Sequence, residues 1–245
     1  MTPSVVERLA ARERPEGSPV MYQSWGNLLF MHWEVSANAL RKHVPRRLEL
    51  DTFEGRAYVG LTPFKLWGVR PVFTPPLPLV SEFLEINVRT YVHLDGVPGV
   101  WFFSLDANSM VAVQGARTLF RLPYFHSRIE MKGQGATTHC NAWRDDASGA
   151  EAGFDAIWET GAERGAAEPG TLDFFLVERY CLYTAEKEKL FRARIHHQPW
   201  PLRDATLLKH RSSMIEAAGL SKSGSDPLIQ HGGPVDVEVW PLEEV

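Results

Sequence analysis

Two residues, Asp95-Gly96, constrain this chain more than any other pair. They join two alternating segments, residues 82–94 and 97–105. An Asp-Gly pair in that setting specifies a tight hairpin, because the favoured two-residue turn needs positive φ at both central positions. Two more hairpins follow. Residues 124–132 and 136–144 flank Gly133-Gln134-Gly135, and residues 178–184 and 189–197 flank the charged turn Ala185-Glu186-Lys187-Glu188. Further strands are expected over 21–35, 48–51, 57–67, 154–158 and 235–240, with Pro63 marking an edge or a bulge. Strands that arrive as antiparallel hairpins, rather than alternating with helices, predict a mainly β fold: one antiparallel, barrel-like domain with a few short helices.

The helices are few. Ser36 caps residues 37–43, which stop at Val44-Pro45. Residues 106–109 offer capping oxygens to a helix over 110–120, which must end before Pro123. Residues 171–177 read as a short helix or turn, and 211–218 as a helix closed by Gly219. Residues 1–20 read as an N-terminal arm, partly disordered, with a short helix over 5–12. Residues 21–245 read as one domain with no internal linker. The proline-rich stretch 70–80 excludes helix and central strand and predicts an ordered rim loop, and 161–170 a small-residue loop.

Composition removes several classes of function. Hydrophobic residues make up 44%, enough for a proper core. A formal net charge of -4 gives no footprint for nucleic acid. Cys140 and Cys181 form no C-x-x-C pair, so a reducing, cytoplasmic setting is expected. The first 20 residues carry charges where a signal peptide needs an apolar centre, and no apolar run approaches the roughly 18 residues of a membrane span. No phosphate-binding loop, nucleophile elbow or H-E-x-x-H motif is present. His196-His197 would face opposite ways on a strand, which argues against one shared metal. No cofactor and no metal are expected, and a homo-oligomer is left open.

Candidate site residues come from the strand 82–89 and from the segment 101–125. Alternation sets Phe83, Glu85, Asn87 and Arg89 on one face, which is either solvated or a wet interior. Trp101 and Phe103 belong to an aromatic strand, Trp101-Phe102-Phe103, suited to lining a cavity. Arg117 follows small residues on the central helix, so its guanidinium is expected to be mostly buried and paired with a carboxylate, Glu85 or Asp106 first, or with backbone carbonyls; it either serves its own helix end or a nearby carboxylate, or binds an anion. Tyr124, after Pro123, presents a phenol either to a pocket or to the core.

The stretches Ala39 to Asp51 and Gly115 to Phe125 resemble acetoacetate decarboxylases, and the separation of Glu85 from Arg117 fits that family without a gap. More closely, the chain resembles the YqjF-like family of unknown function in the same superfamily. The matching pieces are Phe83 to Tyr91, Gly99 to Asp106, Glu178 to Tyr183, His197 to Leu202 and Val235 to Trp240. The resemblance spans roughly residues 20 to 241 and implies an antiparallel, barrel-like domain with helices. It also implies what has changed. The decarboxylases use a lysine for Schiff-base chemistry; here Tyr124 and Phe125 stand at the matching pair. The substrate-binding arginine of that family falls near Gly26, and its second acid is not kept near residues 58–60, so Glu85 alone of the set is retained. Lys65 or Lys132 could substitute only by entering the pocket. The expectation is a pocket for a small organic ligand, with Glu85 and Tyr124 as acid/base candidates and Arg117, Trp101, Phe103 and Arg89 as binding candidates. Acid/base work on a carbonyl compound, such as isomerisation, hydration or retro-aldol cleavage, is one reading. A ligand sensor or oligomeric interaction module is the other.

Overall fold

The computed structural model describes residues 2–76, 81–222, 224 and 226–245. In chain order its elements are α1 (Val5–Arg12), β1 (Met21–Gly26), β2 (Leu28–Val35), α2 (Ala37–Leu40), β3 (Glu49–Leu50), β4 (Ala57–Pro71), β5 (Phe83–Leu94) and β6 (Val97–Ala107). After these come α3 (Met110–Leu119), β7 (Tyr124–Gln134), β8 (Thr137–Arg144), β9 (Gly153–Gly165), α4 (Leu172–Val177), β10 (Cys181–Glu186) and β11 (Lys189–His196). The chain ends with β12 (Leu202–Ser212), α5 (Met214–Ala217), β13 (Leu228–Gly232), β14 (Val235–Val239) and β15 (Glu243–Glu244).

The three expected hairpins are β5–β6, β7–β8 and β10–β11. At the first turn Asp95 and Gly96 both take positive φ, +50° and +81°, the backbone that matches the twist of the flanking strands. Pro63 lies neither on an edge strand nor in a bulge. On one side β4 is paired throughout this region with β5. On the other it pairs with β2 at residues 57–61 and with β1 from Lys65 onward. Pro63 therefore falls in the gap between two partners, where its missing N–H costs nothing.

That gap is where the sheet divides. β6 divides in the same way, meeting β10 in parallel at Val100 and Trp101, and β7 in parallel at 105–107. The pairings therefore close into two rings of strands that share β4, β5 and β6. One ring runs through β1, β14, β11 and β10, and the other through β7, β8, β9, β12, β13 and β2. Two parallel contacts enter what is otherwise an antiparallel arrangement. Gly99 makes the first possible, since a Cβ there would lie 2.7 Å from the Tyr183 ring and 2.9 Å from the Cys181 carbonyl oxygen.

Alternation on the shared strands gives each ring its own core. Tyr58, Phe64, Leu66, Phe83 and Tyr91 face the first ring. Val59, Leu61, Ile86 and Val88 face the second, with Trp158 and Phe154. α4 adds Phe175, Leu176 and Val177 to the first core, and α3 adds Val113.

Several local expectations are corrected. β12 and β13 were not foreseen; β12 begins at Leu202 and consumes the start of the helix expected over 211–218, which is reduced to Met214–Ala217. β9 continues to Gly165, into the expected loop, because β12 pairs along nearly its whole length. The N-terminal arm is docked rather than loose. A Ser4–Glu7 capping box starts α1, Arg8 grips Asp51 with two hydrogen bonds of 2.7 and 2.6 Å, and the Trp240 indole donates to the Glu16 carbonyl at 3.0 Å. Of the expected rim loop, residues 77–80 lie outside the described residues.

Candidate functional site

Inside the first ring, under α3, lies a cavity of about 220 Å³. Its walls are mostly apolar, with Trp25, Phe64, Phe102 and Trp200 prominent, and Ala112, Gly115 and Ala116 of α3 close one side. Few residues on this lining carry ionisable or amide groups: Gln23, Glu85, Asn87, Arg89, Tyr124, Arg179, Cys181 and His197. The β5 face expected from alternation is thus an interior face, since Phe83, Glu85, Asn87 and Arg89 all line the cavity. Glu85 is 3% exposed.

Tyr124 opens β7, at the parallel contact with Leu105 of β6. Its hydroxyl donates a 2.6 Å hydrogen bond to Glu85 Oε2. Burial pushes the Glu85 carboxyl up from 4.5 to about 7; the hydrogen bonds from Tyr124 and Asn87 oppose the rise, and the Asp106 charge adds to it. Burial, then the Glu85 charge and hydrogen bond, hold the Tyr124 phenol well above its ordinary range. The pair is a carboxyl that titrates near neutrality beside a phenol that keeps its proton.

Arg117 is corrected on two points. Its guanidinium donates to the Tyr124 carbonyl at 2.8 Å and to Asp146 at 2.6 Å, and its side chain is 32% exposed. Neither Glu85 nor Asp106 is its partner. Asp106 is taken by Arg144, through two 2.7 Å hydrogen bonds, and by the Ser127 hydroxyl. Arg117 therefore lies outside the cavity and pins the backbone that carries Tyr124.

Trp101 and Phe103 are also placed off the cavity. They pack against a third cluster with Val44, Leu48 and Tyr183 and border a separate surface cleft with Arg117. The reason is a register shift: Phe102 pairs with Arg89 and Ser104 with Val88, so Phe103 is the extra residue. A bulge reverses which parity points inward. Before it Val100 and Phe102 face the cavity, and after it Leu105 does.

The two lysines in question lie elsewhere. Lys65 pairs with Glu82 at 2.6 Å and Lys132 with Glu130 at 2.7 Å, both substantially exposed. At Gly26 a Cβ would meet the far edge of the Trp67 ring at 2.8 Å, so a larger side chain there would have to displace that ring.

Three cavity groups outside the expected set shape the site most. Asn87 hydrogen-bonds Glu85. Arg179 comes from the start of the third hairpin, is 5% exposed, and is held by Asp51 at 2.6 Å. Burial opposes ionisation of Asp51, but Arg179 and Arg8 hold it below the usual carboxylate range. His197 stacks on Tyr180 at 4.6 Å between centroids, and burial lowers its pKa to about 4, so it is neutral. His196 faces away and approaches the Arg12 carbonyl, as the alternation argument requires. Only Asn87 had a signal, its place on the polar face of β5; chain distance concealed the other two. Among the described residues no group of three or more His, Cys, Asp or Glu is placed to hold a metal, and no helix is long and apolar enough to cross a membrane.

The architecture is that of the acetoacetate decarboxylase-like fold. The chain matches acetoacetate decarboxylase from Legionella pneumophila with a TM-score of 0.62 at 12% identity, covering 99% of this chain and 95% of that one. It matches the enduracididine biosynthesis enzyme MppR complexed with pyruvate with a TM-score of 0.61 at 13% identity, covering 95% and 93%. Within that fold, residues 22–235 match the DUF2071 family, described as an uncharacterized conserved protein. The chain is also 40% identical over 231 residues to the uncharacterized protein YqjF of Bacillus subtilis (strain 168), covering 94% of each. The chain belongs to this family.

Proposed function

We propose that the protein binds a small organic carbonyl compound in the first-ring cavity and performs acid/base chemistry on it without a Schiff base. The observation that carries this is the 2.6 Å hydrogen bond from Tyr124 to Glu85 inside an apolar cavity. A carboxyl titrating near 7 is matched to proton abstraction at neutral pH, because it is partly ionised yet basic enough to drive transfer. Glu85 takes a proton from the carbon beside the carbonyl. Tyr124, which keeps its own proton, turns its hydroxyl from Glu85 to the oxygen on which negative charge develops. Return of that proton to a different carbon of the enolate completes an isomerisation; in hydration Glu85 instead takes the proton of a water adding to a conjugated double bond, in retro-aldol cleavage it takes that of the β-hydroxyl as the bond between the α and β carbons breaks, and in both it then returns the proton to the enolate carbon.

A Schiff-base route is not part of this reading. The described lining residues include no lysine, and a phenol cannot form an iminium. MppR, of the same fold, is described with pyruvate bound, which agrees with a pocket scaled to small oxo compounds.

The test is deuterium exchange in D₂O, followed by proton NMR, on a panel of small ketones and 2-oxo acids. Protein-catalysed exchange at the carbon beside the carbonyl, abolished by Glu85→Gln and reduced by Tyr124→Phe, is expected. Binding of panel members with no exchange would replace this reading by a ligand sensor using the same cavity.

A further inference from the structure

His197 meets the cavity with one side of its ring committed and the other free. It follows β11 and opens the rigid bend Gln198-Pro199-Trp200-Pro201. Its ring stacks on Tyr180 at 4.6 Å between centroids and lies 5.1 Å from Trp200 and 6.1 Å from Trp25. Tyr180 and Trp200 are themselves fixed by one carboxylate, since Glu178 accepts from the Tyr180 hydroxyl and from the Trp200 backbone N–H. The imidazole therefore has little freedom to turn.

Its tautomer follows from its neighbour. Nδ1 lies 2.7 Å from the Gln198 carbonyl oxygen, and a carbonyl can only accept, so Nδ1 carries the hydrogen. Burial lowers the pKa of the ring, the Gln198 hydrogen bond opposes this, and His196, Arg12 and Arg89 add to the lowering. The ring is neutral, and Nε2 holds a bare lone pair. Nε2 has no hydrogen-bond partner among the described residues, yet it is not one of the unpartnered atoms sealed inside the protein, as Nδ1 of His32 is. His197 is 2% exposed and lines the cavity, so the edge that stays accessible faces the cavity. Of the other acceptors on the lining, Thr62 Oγ1 and Asn87 Oδ1 are sealed off, Glu85 and Tyr124 serve the reacting carbonyl, and Gln23 can donate as readily as accept. Nε2 of His197 can only accept.

We infer that His197 determines specificity: its Nε2 accepts a hydrogen bond from a hydroxyl of the ligand, and the molecule this cavity takes is a small hydroxy-carbonyl compound. The carbonyl half rests on the reading proposed above; the hydroxyl half rests on His197 alone. An apolar group against Nε2 would remove the lone pair from water without a partner, at the full cost of its desolvation. An ammonium would meet the charges of Arg12 and Arg89, which already act on this ring, so the donor is neutral. The charged groups that act most on His197 are Arg12 and Arg89, whereas Glu85 feels Asp106. The two residues thus serve different parts of the cavity, and the hydroxyl belongs away from the reacting carbon. A cavity of about 220 Å³ falls below the roughly 300–1,000 Å³ of sites for drug-sized ligands, which suits a single small ring.

The experiment compares 4-hydroxycyclohexanone with 4-methylcyclohexanone, which differ by one hydroxyl in place of a methyl. Titration calorimetry on the wild-type protein is expected to show the hydroxy ketone binding at least about tenfold more tightly, because a site built to pair a hydroxyl discriminates against the analogue lacking it. His197→Phe keeps a ring against Tyr180 and removes the lone pair; it should lose at least about tenfold in affinity for the hydroxy ketone and keep its affinity for the methyl ketone. Nitrogen-15 NMR of labelled histidine should show His197 Nε2 without a hydrogen, and its resonance should move toward the hydrogen-bonded range with the hydroxy ketone but not with the methyl ketone. Equal binding of the two ketones, no binding of either, a hydroxyl preference that survives His197→Phe, or an Nε2 resonance indifferent to the hydroxy ketone would each overturn the inference. Hydroxyl preference without hydrogen exchange would defeat the acid/base reading alone, and exchange without that preference would defeat this inference alone. The wild-type titrations and the Nε2 resonance decide the matter even if His197→Phe fails to fold.

Discussion

Tyr124 and Glu85 stand 39 residues apart in the chain, and a 2.6 Å hydrogen bond joins them across the first ring. Glu85 comes from the hairpin strand β5 and Tyr124 from the first residue of β7. Between those strands stands β6, paired with one on each side. The contact is thus held by three adjacent strands and by Arg117, which fixes the Tyr124 carbonyl from outside.

Glu85→Gln should be at least as stable as the wild-type protein above neutrality. The folded pKa of Glu85, about 7, lies above its ordinary 4.5. The folded state therefore holds the proton more tightly, and wild-type stability declines as pH rises from about 4.5 through about 7. The displacement corresponds to on the order of 3 kcal/mol. Glutamine carries no charge to bury, can accept from Tyr124, and can donate to the unpartnered Asn87 Oδ1. Denaturant unfolding at pH 5 and pH 8 checks this; a mutant that loses stability relative to wild type on going from pH 5 to pH 8 contradicts it.

Tyr124→Phe should move the Glu85 titration upward. The phenol hydrogen bond is the largest influence lowering the Glu85 pKa, so its removal leaves burial less opposed. Carbon-13 NMR of labelled glutamate side chains reads this directly. The Glu85 carboxyl in the mutant should titrate above its wild-type midpoint, and any exchange activity should rise at correspondingly higher pH. A downward shift would mean that the hydroxyl is not donating to Glu85.

Asp106→Ala and Arg117→Ala should differ sharply in stability. Asp106 is fully buried and leaves Arg144, 3% exposed, without its carboxylate; breaking such a pair costs about 3–5 kcal/mol. Arg117 is a third exposed and its partner Asp146 sits near the surface, so its ion pair contributes about 1 kcal/mol or less. Chemical denaturation of both variants separates the cases. Equal losses would show that Arg117 carries more of the β7 anchorage than its exposure indicates.

Borohydride should not trap an oxo acid on this protein. Lys65 and Lys132 are engaged in surface ion pairs away from the cavity, and iminium formation needs a nucleophilic amine. Tyr124→Lys alone should remain untrapped, because Phe125 supplies no neighbouring ammonium to lower the new lysine's pKa. Intact-mass spectrometry after reduction gives the answer, and an adduct mapped to any lysine would revive Schiff-base chemistry.

Thermal unfolding should be a single transition. The two rings share β4, β5 and β6, so neither can lose its strands while the other keeps a closed wall. Calorimetry resolving two transitions, or a calorimetric enthalpy well above the van't Hoff value, would show that the rings unfold separately.

Local chemistry in the sequence determined a good deal. Asp95-Gly96 specified its turn, because few residue pairs accept positive φ at both positions. Period-two alternation placed Phe83, Glu85, Asn87 and Arg89 on one face, because successive strand side chains point to opposite sides. Ser109 and Pro123 bracketed α3, because one satisfies its first N–H groups and the other cannot follow a helical residue. The resemblance carried by these segments also named Glu85 and Tyr124 together as the acid/base candidates.

Tertiary structure decided the rest. Whether the β5 face met water or an interior depended on β4 and β6 closing two rings, a matter of partners far along the chain. Trp101 and Phe103 turned away from the cavity because one extra residue entered β6 at the bulge, and parity counting cannot see an insertion that only pairing with β5 reveals. Arg117 found Asp146 rather than Glu85 or Asp106, since Arg144 had already filled the Asp106 carboxylate. Arg179 and His197 reached the cavity from the third hairpin and its exit, more than 90 residues beyond Glu85 in the chain. Sequence fixes the direction of a side chain relative to its own backbone; which other backbone it then faces is set by long-range strand pairing, and the cavity exists only after that pairing is complete.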